Sequence, residues 1–296
     1  MTQQAIRLES TDRGIWIHSG DRRVGFYQRE TAQRGDAPPC SNYLHPINDL
    51  DGNPLTEDFP SDHLHHRGIF WAWHQLTVDG NTIGDGWMLR RFTWDVRECE
   101  PSSLDDGAAM LRLVVEWKSP DFRNGQVPVV TEQTRLTFFP DSDDRRQFDV
   151  DIRLRATHPN TRIGGSDDAK GYGGLSLRIK LPDDLAFVSQ NGPEQPAFAS
   201  VPPSPWMSFR GSFSEQSDHS ITVLTHPQSV GYPQPWILRS ARSMQNPVWP
   251  GPDAVLLPEH SDVRLRYRVL IHRKSGSAEM IDRWQQSYIA APDTAV

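Results

Sequence analysis

Along Gln147-Phe148-Asp149-Val150-Asp151-Ile152-Arg153-Leu154-Arg155, apolar and polar residues alternate without a break. A strand turns successive side chains to opposite faces, whereas a helix returns to the same face about every 3.6 residues. This run can therefore bury Phe148, Val150, Ile152 and Leu154 together only as a strand. The pattern predicts an antiparallel sheet with one face on a core and with Gln147, Asp149, Asp151, Arg153 and Arg155 in water. Residues 110–117, 175–181 and 263–271 repeat the period, and 87–97, 127–139 and 220–225 do so less regularly. Residues 14–18 and 22–28 flank Ser19-Gly20-Asp21 and predict a hairpin. One amphipathic helix is predicted over 277–288, with Met280, Ile281, Trp284 and Tyr288 as its apolar stripe and Ser277 as its N-cap. No strand-helix-strand alternation occurs, which disfavours parallel architectures. The predicted class is all-β, a large antiparallel β-sandwich with one short C-terminal helix. No linker composition divides the chain, so residues 1–296 read as one domain.

Charge and cysteine usage narrow the partners. The formal net charge is −7, which argues against nucleic acid, since phosphate binding rewards a basic stripe. Cys40 and Cys99 stand far apart in no metal spacing, so neither a disulfide framework nor a thiolate zinc site is indicated. The first residues lack the apolar stretch of a secretory leader, and no run approaches the length of a membrane helix. A cytoplasmic protein with no membrane or nucleic-acid partner is expected, and the negative charge suits solubility and a neutral substrate. The sequence leaves the oligomeric state open.

The chemistry concentrates in Ser61-Asp62-His63-Leu64-His65-His66-Arg67-Gly68-Ile69-Phe70-Trp71-Ala72-Trp73-His74, which holds four of the eleven histidines. Read as extended, it places His63 and His65 on one face and turns His66 away. Imidazole titrates nearest neutrality, so His63 and His65 are candidate acid and base groups, and Arg67 offers a planar fork to a substrate oxygen. The bland reading is a polar turn entering a buried aromatic strand. The preceding stretch, 34–61, carries Pro38, Pro39, Pro46, Pro54 and Pro60, and reads as an irregular loop that brings His45, Asn48 and Asp49 towards the histidines. No cofactor is expected. A divalent metal held by His63, His65 and a distant His or Asp is the alternative, because His65 and His66 diverge as strand neighbours.

Two further constellations stand out. In Lys170-Gly171-Tyr172-Gly173-Gly174-Leu175-Ser176-Leu177-Arg178, the glycines permit close approach of a ligand to the backbone or a simple bulge, and Tyr172 and Arg178 are candidate substrate contacts. In residues 226–251, prolines stiffen a stretch bearing His226, Tyr232, Trp236 and Asn246, whose flat rings and amides suit a sugar. The bland reading there is core tryptophans between proline-rich turns. His66 and Trp73 complete the predicted substrate contacts.

The combination His45-Pro46-Ile47-Asn48-Asp49, Asp62-His63-Leu64-His65-His66-Arg67-Gly68, Gly171-Tyr172-Gly173-Gly174-Leu175-Ser176-Leu177-Arg178 and His226-Pro227 through Trp236 resembles a bacterial PmoA-labelled family of unknown function. That family is similar in architecture to the galactose-mutarotase-like supersandwich of aldose epimerases and several polysaccharide lyases and hydrolases. Leu257-Pro258-Glu259-His260-Ser261-Asp262 resembles the closing turn of the epimerases, although no glutamate stands just before it, where their catalytic base lies. The resemblance implies a carbohydrate-active enzyme, a lyase, hydrolase or epimerase. Alternatives are a non-catalytic carbohydrate-binding sandwich and a histidine-ligated metal enzyme. At least four of His63, His65, Arg67, Tyr172, Arg178, His226 and Trp236 are expected to face one cleft, with Arg67 and Arg178 stabilising charge on the substrate.

Overall fold

The computed structural model describes residues 4–214, 217–273 and 276–293, so the extreme ends of the 1–296 span lie outside the described residues. Its strands form two main antiparallel sheets. The first has six strands in the order Ile6–Ser10, Gly14–Ser19, Arg22–Gln28, Tyr43–Ile47, Ile69–Trp73 and Gly173–Leu177. The second has nine, in the order Gly192–Glu194, Ala186–Ser189, Trp206–Ser214, Ser217–Thr225, Val263–Arg273, Arg145–Ala156, Val130–Phe138, Ala109–Lys118 and Thr93–Ser103. Their inner faces share one apolar core, in which Ile17, Leu44 and Trp71 of the first sheet join Leu113, Val150 and Val269 of the second. The antiparallel β-sandwich is thus as the alternation predicts.

The local corrections each have a cause. The proline-bearing stretch 34–61 is not wholly irregular, because Tyr43–Ile47 pairs with Arg22–Gln28. Pro46 is accommodated where the register shifts between Gly25 and Tyr27, a position at which a missing N–H costs little. Residues 87–97 do not form one strand. Leu89 and Arg91 take left-handed backbone angles (φ 58° and 52°), and the strand starts only at Thr93. The cleanly alternating 175–181 stretch contributes the strand Gly173–Leu177, both of whose faces are buried.

Gln147–Arg155 alternates as predicted, but its acids are not all in water. Asp149 is clamped by Arg268 at 2.6 Å, and Asp151 by Arg264 and Arg135, each at 2.6 Å. The helix Ala278–Ala290 covers part of this outer face, its Ile281 and Tyr288 packing on Trp206, Leu224 and Leu270. Ser277 caps it, accepting from Met280 N at 3.3 Å. No helix among the described residues is long and apolar enough to cross a membrane.

Candidate functional site

Strand pairing brings distant residues to the site. Gly173 pairs with Trp73, so His74 and Tyr172 leave the same end of neighbouring strands. At the other end Leu177 pairs with Ile69, and Arg178 N donates to Gly68 O. Within Ile69–Trp73, Trp71 and Trp73 turn towards the second sheet, meeting Glu132 and Trp117. Phe70 and His74 share the opposite face, as the period of two requires, and both contact Trp87.

The histidine turn is compact, not extended. His63 N donates to Pro60 O and His66 N to His63 O, closing successive turns. As a result all three imidazoles gather: His63 and His66 stack at 4.4 Å, and His65 stands edge-on to both. The expectation that His66 points away is corrected by these turns. Gly68 lets the chain pass Leu44 closely, since a methyl there would lie 1.9 Å from Leu44 O. Stacked, nearly parallel rings send their lone pairs along parallel planes, so His63 and His66 do not converge on a single ion as they stand.

His63, His65, His66 and His74 form one wall of a cleft of about 760 Å³. Trp87, Met88 and Tyr172 continue it. Ser166, Asp168 and Lys170 and the segments 196–198 and 239–243 complete the lining, with Lys170 Nζ 5.3 Å from the centre of the Phe198 ring. His74 is held hard: its Nδ1 lies 3.1 Å from Asp85 Oδ2, its ring stacks on Trp87 at 5.2 Å, and Asp85 Oδ1 accepts from Met88 N. A carboxylate accepts, so the His74 ring donates from Nδ1, and the neutral tautomer compatible with that bond has its lone pair on Nε2.

Behind the wall, Arg178 ties the site together. It bonds Glu57 at 2.8 Å, Asp62 at 3.0 and 3.2 Å and Ser243 O at 3.0 Å, and its Nη1 approaches His66 Nδ1 at 3.4 Å. A guanidinium only donates, so His66 Nδ1 is an acceptor and unprotonated. Partial burial works against it, yet the Arg178 guanidinium holds Asp62 below the usual carboxylate range. Tyr172 is fixed by Ser243, 3.2 Å from its hydroxyl.

Of the thirteen residues expected at the site, His63, His65, His66 and Tyr172 line this cleft, with Arg178 directly behind it. Among the seven from which at least four were expected, three line it, so that expectation fails. Arg67 is buried beneath the turn, its guanidinium over Phe70 and Trp94 at 4.2 and 4.8 Å, and it donates to His65 O. There it meets protein and not substrate. His45 bonds Thr56, and Asn48 bonds Arg23 O. Trp73 and Trp236 are core residues bonding Trp249 O and Ser204 O. Asn246 stitches Gly173 O and Leu175 O, and His226 meets Arg266 and Tyr288 beside the helix. Tyr232 belongs to a turn closing on Ser229 O. The glycines of 171–174 admit protein, since a methyl on Gly171 would lie 2.8 Å from Pro252. His74, Trp87, Asp168 and Arg242 also line the cleft, and Asp85 supports it through His74, none of them marked by the motifs above. His74 was in view at the end of the histidine stretch, but its partner Asp85 comes from the following turn.

The buried imidazoles set a pH window. Burial, helped by neighbouring cations, drives His45, His65 and His226 from the ordinary 6.5 to about 4, and His66 lower still. Unfolded, these rings take up protons near pH 6.5, whereas folded they resist to about 4, so in that interval the unfolded chain binds more protons. Stability is complete above pH 6.5 and declines as pH falls towards 4. Thermal unfolding at fixed ionic strength should show the melting temperature dropping across that interval, with a shallower slope in His66→Asn. A flat profile there would contradict the neutral, buried state of these rings.

Residues 15–285 match the profile of a family described as "Family of unknown function (DUF6807)". No curated protein matches the chain. Among solved structures, a Salmonella typhimurium protein described as a "putative mutarotase" aligns over 93% of this chain and 96% of its own, at 9% identity and a TM-score of 0.46. That likeness is too low to bear on activity.

Proposed function

The chain belongs to this family of unknown function, DUF6807, and we propose that it is an enzyme working by histidine acid-base chemistry on a sugar or glycoside. The observation that carries the reading is the Asp85-His74 pair within the cleft, 3.1 Å apart. A carboxylate that fixes the tautomer and orientation of an imidazole makes the other ring nitrogen a positioned base. His65, driven to about 4 by burial, is neutral at working pH and adds a second acceptor beside it. His63, half-exposed with its Nδ1 3.6 Å from Asp62, is placed to return a proton. Support for a sugar comes from Tyr172, a part-exposed ring backed at 5.2 Å by the buried Trp87, with Ser166 and Ser243 nearby for hydroxyls. Cleavage of a glycosidic bond, elimination and epimerisation all need this proton traffic.

The test is to incubate the protein with a panel of glycosides, oxidised sugars and uronides and follow each by NMR. Conversion of a panel member that disappears in His74→Ala supports the reading. Binding without conversion would make the protein a carbohydrate-binding sandwich, and a panel left neither bound nor changed would remove sugars altogether.

A further inference from the structure

The cleft is cationic in a chain whose net charge is −7. Lys170, Arg239 and Arg242 line it, against Asp168 as the one carboxylate among the described lining residues. Asp168 is already engaged. It pairs with Lys170 at 3.0 Å and accepts from Ser166 Oγ and from the N–H groups of Lys170 and Gly171, which hold it down at about 2 although burial opposes them. The acids behind the wall are engaged as well, Asp62 and Glu57 by Arg178 and Asp85 by His74. Among the described residues the Arg239 guanidinium donates to carbonyls, those of Ala197, Leu238 and Phe198. Arg242 is exposed at the mouth, in a left-handed backbone conformation (φ 54°) uncommon for arginine. Among the described residues no carboxylate forms an ion pair with either arginine.

Lys170 and Arg239 moreover stand 5.9 and 5.6 Å from the centre of the same Tyr172 ring. Asp168 already neutralises Lys170, so the charge left without a carboxylate partner is that of Arg239 and Arg242, and an anion seated beside them supplies one. Resting on the sugar reading above, we propose that the substrate is a sugar acid whose carboxylate is taken by Arg242, with Arg239 and Lys170 beside it. Carboxylate suits the site better than phosphate. Phosphate sites are commonly built from free backbone N–H groups, whereas here the N–H groups of Lys170, Gly171 and Tyr172 are already bonded to Asp168 and Ser166. What remains is side-chain cations, and an arginine fork matches a planar carboxylate in two bonds.

The experiment titrates the intact protein by calorimetry with monosaccharide uronates, their neutral methyl esters and the corresponding sugar 6-phosphates. A uronate should bind about tenfold or more tighter than its ester. That preference should shrink as ionic strength rises to about 0.5 M, where exposed charges are screened. Arg242→Ala should bring the uronate down to the affinity of the ester. An ester bound as tightly as its acid overturns the anionic subsite while leaving the sugar reading standing, and so does a phosphate bound more tightly than the uronate. Failure of every sugar, charged or neutral, overturns both.

Discussion

Replacing His74 with alanine will lower turnover by about 10²- to 10⁴-fold, the usual cost of losing a positioned general base, with the folded protein left intact. The ring is partly exposed at a cleft wall and stacks on Trp87, so its removal leaves a gap open to solvent and no buried void. Asp85→Asn separates geometry from chemistry. The amide keeps the size of the carboxylate, but by presenting its N–H₂ to His74 Nδ1 it moves the ring proton to Nε2 and removes the lone pair from the cleft. A comparable loss of turnover in both variants, each melting near the native temperature, is the expected result. Unchanged turnover in His74→Ala would leave His63 and His65 as the proton carriers and dissolve the pair as a catalytic unit.

The alternation of 147–155 was enough to place a strand with one face on the core, because a period of two has no other compact solution. That same pattern misjudged Asp149 and Asp151. Alternation tells which face a residue takes, and says nothing of what later covers that face, here Arg264, Arg268 and the C-terminal helix. The histidine stretch was legible as a cluster but not as a shape, since closure of its turns depends on Pro60 O and His63 O accepting bonds. Residues meeting by long-range pairing were least legible. Arg178 reaches His66 across 112 positions and Trp73 reaches Trp249 O across 176, and no local period records such a meeting. Trp236 and Asn246 carry the same lesson. Their residue types suit a sugar, yet the first fills the core and the second satisfies strand carbonyls.

Glu132→Ala will destabilise the fold by about 4 kcal/mol or more, and much of the variant should fail to fold. Glu132 occupies an inward position of Val130–Phe138, between Val130 and Thr134, where the alternation calls for an apolar residue. Its carboxylate answers four donors. Asn42 Nδ2 at 3.1 Å, Trp71 Nε1 at 2.6 Å and Thr134 Oγ1 at 2.8 Å meet Oε1, and Trp117 Nε1 at 2.8 Å meets Oε2. Trp71 belongs to the first sheet and Trp117 and Thr134 to the second, so one side chain links the two layers. Burial raises its pKa and the donors oppose the rise without cancelling it. Truncation strands four donors in a closed core, each costing about 1–3 kcal/mol, against a total stability of about 5–15 kcal/mol. Glu132→Gln is the sharper measurement. Its carbonyl can still serve the three donors at Oε1, while its N–H₂ confronts the Trp117 indole, so a single conflict of about 1–3 kcal/mol is expected. Adding Trp117→Phe to Glu132→Gln removes the confronted donor, and the pair should be less destabilised than the sum of the two single changes. Strict additivity in that cycle would mean that the Trp117 indole does not depend on the carboxylate, and a melting temperature unmoved by Glu132→Ala would mean that the carboxylate does not hold the sheets together.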